Sequence, residues 1–208
     1  MFYYVFFWAH EVNVWRRGDK RAPHKPLLLL LALAELSRGE VEVKFTDCER
    51  KLRALLEEFG TPSKSVHPEY PFWRLQKDGI WVVEHDRPLK VRTSNTDIPR
   101  TELRAANARG HFTPDVLSTL QQDPKQIYEI ARSLLDAHFP ETLHEDILSA
   151  VGLAHQWPGT IEVAKKRHRD TRFRASVLTA YQYRCAVCGV SIGLTDWKPD
   201  RRTRGRPY

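Results

Sequence analysis

Apolar residues recur along this chain mostly in the rhythm of helices, with a few short stretches in the rhythm of strands. Residues 27–36 are apolar nearly all round, the pattern of a helix buried on every side. Pro26 stands where a first helical turn tolerates proline, and Gly39 ends the run. The run is too short to span a bilayer. Thr46-Asp47-Cys48-Glu49 reads as a capping box, with Thr46 at the N-cap and Glu49 three residues on. Behind it Cys48, Leu52, Leu55, Leu56 and Phe59 share one helical face, and Gly60 closes the helix. Cys48 on that face reads as an inert core thiol. Residues 72–75 and 80–84 read as short strands, and the Asp78-Gly79 pair between them is a hairpin signal. Residues 100–108 predict a weak helix ended by Arg109-Gly110. Thr113-Pro114 caps a short helix, and Asp123-Pro124 starts a stronger one with Ile127, Ile130, Ala131, Leu134 and Leu135 on one face. Pro140 ends it, and residues 141–151 predict one more.

Helix, helix, loop, hairpin is the order of a winged helix-turn-helix. The expected fold is therefore α+β, mainly α-helical and winged-helix-like, with a short β-hairpin. The pattern divides into a domain over residues 10–155, a basic linker over 156–170 and a tail over 171–208. The tail opens with a predicted helix over 171–183 and continues into a knuckle-like segment around Cys185-Ala186-Val187-Cys188. The first ten residues are apolar but lack a basic start and a small-residue cleavage site, so no signal peptide is expected.

Charge sharpens this division. The formal net charge is +7, made of +4 over residues 1–110, −6 over 111–164 and +9 over 165–208. Basic ends of this density are a usual footprint of a polyanion partner. Residues 15–25 (WRRGDKRAPHK) read as a loop whose cations could lie along phosphates. Three cysteines do not make a disulfide framework, and a cytoplasmic location follows. No membrane partner is expected.

The richest candidate chemistry is His67-Pro68-Glu69-Tyr70-Pro71-Phe72-Trp73-Arg74-Leu75. Pro68 and Pro71 bias His67 and Tyr70 toward extended geometry and withhold two backbone donors. A stiff corner on the surface, with aromatic walls and a nearby cation, is the expectation, and it suits a soft, poorly hydrated anion. Taken singly, each aromatic reads as core rather than ligand contact, whereas the Tyr70-Pro71 pair reads as surface. His24 and Lys25 precede the most buried helix, where amides and the positive dipole end favour an anion.

Ala22-Pro23-His24-Lys25-Pro26-Leu27-Leu28-Leu29-Leu30, then 65–75 (SVHPEYPFWRL) and Asn107-Ala108-Arg109-Gly110-His111-Phe112, resemble the sulfur-binding domain of phosphorothioate-dependent type IV restriction endonucleases. The resemblance spans about residues 10–155. Phe173 to Leu178, then Cys185 to Gly189, are similar to the opening of the HNH nuclease domain those enzymes carry. The resemblance implies a bacterial protein that binds double-stranded DNA in which sulfur replaces a non-bridging phosphate oxygen. Sulfur keeps the charge but is larger, more polarizable and a weaker acceptor. A pocket selecting it should offer apolar contact where oxygen demands a donor, at a cost to oxygen of roughly 1–3 kcal/mol. Tyr70, Pro71 and Trp73 can supply that wall, and His24, Lys25, Arg74 and Arg109 can balance the charge. Gly110 lets a backbone amide approach closely. Arg74 reads equally as the partner of a carboxylate within the fold, such as Glu69.

The tail departs from the HNH pattern. No histidine follows His168 and no cysteine follows Cys188. Two thiolates cannot close a tetrahedral zinc site, so Cys185 and Cys188 are an incomplete half-site that would hold zinc only with ligands from elsewhere. Mg²⁺ or Mn²⁺ would be required only by an intact HNH domain. The chain thus reads as a binding domain attached to a nuclease segment lacking its catalytic histidines. The rival readings are an ordinary winged-helix regulator of plain DNA, an active HNH nuclease with unrecognised ligands, and a protein-interaction module built on the acidic helices. A homodimer is compatible with each.

Overall fold

A computed structural model of the chain describes residues 16–17, 20–60, 65–92, 97–154, 176–177, 180–182 and 184. The first described elements form a two-stranded antiparallel ribbon, β1 (Arg16–Arg17) and β2 (Lys20–Arg21), inside the segment expected to be loop. Helix α1 (His24–Ser37) follows, with Pro26 in its first turn. Every residue from Pro26 to Leu36 is buried. The other helices gather round it: α2 (Phe45–Phe59), α3 (Glu69–Arg74), α6 (Lys125–His138) and α7 (His144–Val151) all pack on α1. Burial on all sides explains why α1 is apolar all round, whereas α2 and α6 bury one face. The buried face of α2 includes Cys48, Leu52, Leu55, Leu56 and Phe59, and Gly60 caps it, as the spacing predicts. Burial drives the Cys48 thiol far above its usual value, which keeps it an inert core thiol.

The remaining elements are α4 (Arg100–Ala105), α5 (Pro114–Gln122, with Thr113 at its N-cap) and a three-stranded antiparallel sheet. Its strands are β3 (Val43–Lys44), β4 (Trp81–Glu84) and β5 (Arg109–Phe112), in the order β3-β5-β4. Gly110 sits at its centre, opposite Val43 on one side and Val83 on the other. The architecture is mostly helical with one small sheet.

Three local expectations are corrected. Residues 72–75 are not a strand, and no hairpin joins them to β4. They belong to α3 and the 3-10 turn Leu75–Asp78, which ends at Gly79 with φ of +73°. The inward residues Pro68, Pro71, Phe72 and Leu75 are three to four apart, a helical interval rather than a strand's alternation. Second, Arg109-Gly110 does not end a helix. Asn107, with φ of +49°, supplies the left-handed turn after α4, and Arg109 begins the central strand. Third, the capping box does not form. The chain passes from β3 directly into α2 with Lys44 at the N-cap, so Thr46 already lies in the first turn, and Glu49 is buried and held by Arg104.

No helix among the described residues is long and apolar enough to cross a membrane. Cys185 and Cys188, the linker over 156–170 and most of the tail lie outside the described residues.

Candidate nucleic-acid interface

The proline-aromatic stretch folds as α3 because both prolines fall where a helix does not need their amides. Pro68 is the N-cap, already in helical backbone geometry, and Pro71 is the third helical residue. Amides of a first turn have no acceptor within the helix, so nothing is lost. The short helix buries Glu69, Pro71 and Phe72. The Phe72 ring meets Phe45 edge-on at 5.0 Å and Trp81 at 5.9 Å, which ties α3 to α2 and the sheet. Trp73 is half-buried against the core. Tyr70 and Arg74 are left on the outer side.

Tyr70 is the centre of the outer side. Its ring is stacked with His67, centroids 4.7 Å apart and planes 17° from parallel. The guanidinium carbon of Arg74 lies 4.5 Å from the ring centroid and that of Arg92 5.9 Å, both within cation–π range. Arg92 also donates to the Tyr70 hydroxyl at 3.2 Å. Beneath this layer sit two buried carboxylates. Glu69 accepts from His67 Nδ1 at 3.0 Å and has Arg92 3.9 Å away. Its second oxygen, Oε2, has no hydrogen-bond partner. Asp97 takes Arg74 Nε at 2.7 Å and the guanidinium's Nη2 on its other oxygen. That bidentate bond, with the charge of Arg74, holds the Asp97 carboxyl below the usual carboxylate range. The acids therefore fix where the cations stand.

His24 is the first residue of α1 and lies within electrostatic reach of His67. Burial, and then the charge of His67, push its pKa below 6.5. Lys25 donates to Asp78 at 2.6 Å, with only 15% of its side chain exposed. The structure thus sets His67, Arg74 and Arg92 around the Tyr70 ring, with His24 in electrostatic reach of His67, while Pro71 is buried and Trp73 half-buried. Pro71 itself is buried, so the surface wall expected of the Tyr70-Pro71 pair presents Tyr70 without it.

Arg109 and Gly110 are engaged elsewhere. Arg109 pairs with Asp86 at 3.0 Å and lies 3.8 Å from Glu42. A Cβ on Gly110 would lie 2.2 Å from the Trp81 indole and 3.0 Å from the Phe72 ring. The space that glycine leaves open is filled by an aromatic side chain of the core. Among the described residues no group of three or more His, Cys, Asp or Glu side chains forms a metal-holding cluster.

A family described as "ScoMcrA-like, DNA sulfur-binding domain" matches residues 8–156. The chain belongs to this family. Solved structures show the same fold. The sulfur-binding domain of ScoMcrA complexed with phosphorothioated DNA is similar at 22% identity and a TM-score of 0.61, with 72% of this chain and 96% of that one covered. That of SprMcrA, also complexed with phosphorothioated DNA, is similar at 22% identity and a TM-score of 0.57, covering 70% and 90%. Against the type IV phosphorothioation-dependent restriction endonuclease ScoMcrA the identity is 24% and the TM-score 0.59, and the match spans 74% of this chain but 34% of that one. No curated protein matches the sequence.

Within this sulfur-binding domain, sequence reasoning missed Arg92 and Asp97 as parts of the site and did not assign His67 to it. His67 stood inside the stretch singled out. Arg92 and Asp97 lie in a segment without periodicity, and only the fold brings them to Tyr70.

Proposed function

We propose that this domain binds double-stranded DNA carrying a phosphorothioate, as the recognition part of a type IV, modification-dependent restriction system. The observation that carries the reading is the Tyr70 ring held between His67 and the guanidinium groups of Arg74 and Arg92, on a sulfur-binding-domain fold. A polarizable sulfur gains from contact with aromatic carbon, whereas an oxygen there gives up water donors without replacement. Lys25, Arg74 and Arg92 offset the phosphate charge, and His24, held neutral, offers only a hydrogen bond. Tyr70 and Trp73 supply the apolar contact, and Pro71 stiffens the turn that presents them. Lys25 and Arg74 are already paired with Asp78 and Asp97, so both act from fixed positions.

A winged-helix-like description is kept as a proposal that rests on the helices carrying a small antiparallel sheet, without the hairpin expected at residues 72–84. An ordinary winged-helix regulator remains the alternative, and equal affinity for plain and sulfur-containing duplex is its signature. The bacterial cytoplasm is where such a restriction system acts. We propose that residues 1–208 do not themselves cut DNA, because they hold no histidine after His168 to serve as an HNH base. Incubation of purified protein with phosphorothioated plasmid and Mg²⁺ or Mn²⁺ should leave the plasmid supercoiled, and cuts at a fixed distance from the modification would refute this. Binding itself is tested with matched duplexes differing by one sulfur.

A further inference from the structure

We infer that the outer face of α2 holds a second phosphodiester of the same duplex, in an arginine-lined depression separate from the Tyr70 site. This rests on the DNA-binding reading above. The depression has a volume of about 310 Å3 and is lined by Thr46, Glu49, Arg50, Arg53 and Arg104. Arg104 grips Glu49 in a bidentate bond at 2.6 and 2.7 Å, with Arg53 at 3.5 Å and Arg100 at 3.9 Å from the same carboxylate. Arg50 lies 3.8 Å from Asp47. Four guanidinium groups thus face two carboxylates, an excess of two positive charges.

The geometry favours an anion over a purely internal clamp. One bidentate partner already satisfies Glu49, whose side chain is 6% exposed. Arg53 and Arg100 add charge to it at distances too long for good hydrogen bonds, and Arg50 keeps 79% of its side chain in solvent. Donors therefore remain for a second acceptor group. Thr46, in the first turn of the fifteen-residue α2, adds a hydroxyl close to the positive end of the helix. Guanidinium forks match the planar pairs of phosphate oxygens. The depression and the Tyr70 site share one frame: Phe45, at the start of α2, meets Phe72 of α3 edge-on at 5.0 Å. A duplex seated on Tyr70 has further phosphates along its strands to offer, and backbone contacts of this kind set register without reading sequence.

The test is the salt dependence of binding by the full chain and by Arg50→Gln/Arg53→Gln, with plain and sulfur-containing duplexes. Arg50 is exposed and Arg53 half-buried, and Arg104 stays to hold Glu49. Losing two phosphate contacts should lower the slope of log K against log salt by about 1.8. Between 50 and 200 mM salt the variant's affinity should then fall roughly tenfold less than that of the unmodified chain. The preference for sulfur should persist, and Arg50→Lys/Arg53→Lys should recover most of the slope. An unchanged slope in a variant that keeps its sulfur preference overturns the arginine site and leaves the proposed function standing. Loss of sulfur preference together with a changed slope overturns the separation of the two sites. If the unmodified chain binds plain and modified duplex alike, the sulfur reading fails, while the slope comparison still decides the arginine site.

Discussion

Gly110 separates two explanations for a small residue near a presumed binding surface. Read in the sequence, it lets a ligand's phosphate come close to backbone; in the fold, the Trp81 indole occupies that space. Gly110→Ala should therefore act on stability. The added methyl cannot fit 2.2 Å from a ring held edge-on between Phe72 and Phe112, and overpacking of this kind costs about 1–3 kcal/mol. Chemical denaturation measures this directly. An unchanged midpoint with weakened DNA binding would return Gly110 to the interface. His24 makes a second prediction at this scale. Burial and the charge of His67 hold its pKa below the ordinary 6.5, so the neutral ring is the form the fold accommodates. Above pH 6.5 the ring is neutral whether folded or unfolded, and the stability is fully present. As the pH falls below 6.5 the unfolded chain takes up a proton that the folded chain resists, and stability is lost down to the folded value. His24→Gln should remove that part of the acid sensitivity without changing stability at pH 8. Melting temperatures at pH 8, 6 and 5 give the comparison, and parallel curves for the two proteins would show that His24 titrates normally.

At the scale of elements, α1 was the most legible part of the chain because every residue on it tells the same story. An all-apolar run of helical length has few places to go but the centre. Leu30 is fully buried there, and Leu30→Ala should cost about 2–5 kcal/mol, measured by urea unfolding. A cost below 1 kcal/mol would mean that the helices around α1 close over the cavity. The α3 segment was the least legible. Two prolines and three aromatics in a row resemble a corner, and proline's exclusion from helix interiors was applied to a helix barely longer than its own first turn. Its inward residues nevertheless carried a helical interval. The sheet was hidden for another reason. β3 and β5 are two and four residues long and pair across 65 positions of chain, so neither has enough local pattern to announce itself. The site was half legible in the same way. His24, Tyr70 and Arg74 stand in motifs, whereas Arg92 and Asp97 are recruited by tertiary contact alone.

Taken whole, the molecule places the aromatic and cationic cluster around Tyr70 on a scaffold whose interior is organised by α1, and the proposed function makes that cluster its anion-binding surface. Charge attracts any nucleic acid; the ring, and what surrounds it, must do the discriminating. The most direct measurement is therefore a pair of dissociation constants, for duplexes identical except for one phosphorothioate, at one fixed salt concentration, with the unmodified chain and with Tyr70→Ala. The modified duplex should bind at least about fivefold tighter, the lower end of what an unsatisfied oxygen costs. Tyr70→Ala should bring the two constants together chiefly by weakening the modified duplex. Equal constants for the unmodified chain, or a ratio that survives the loss of the Tyr70 ring, would contradict the account.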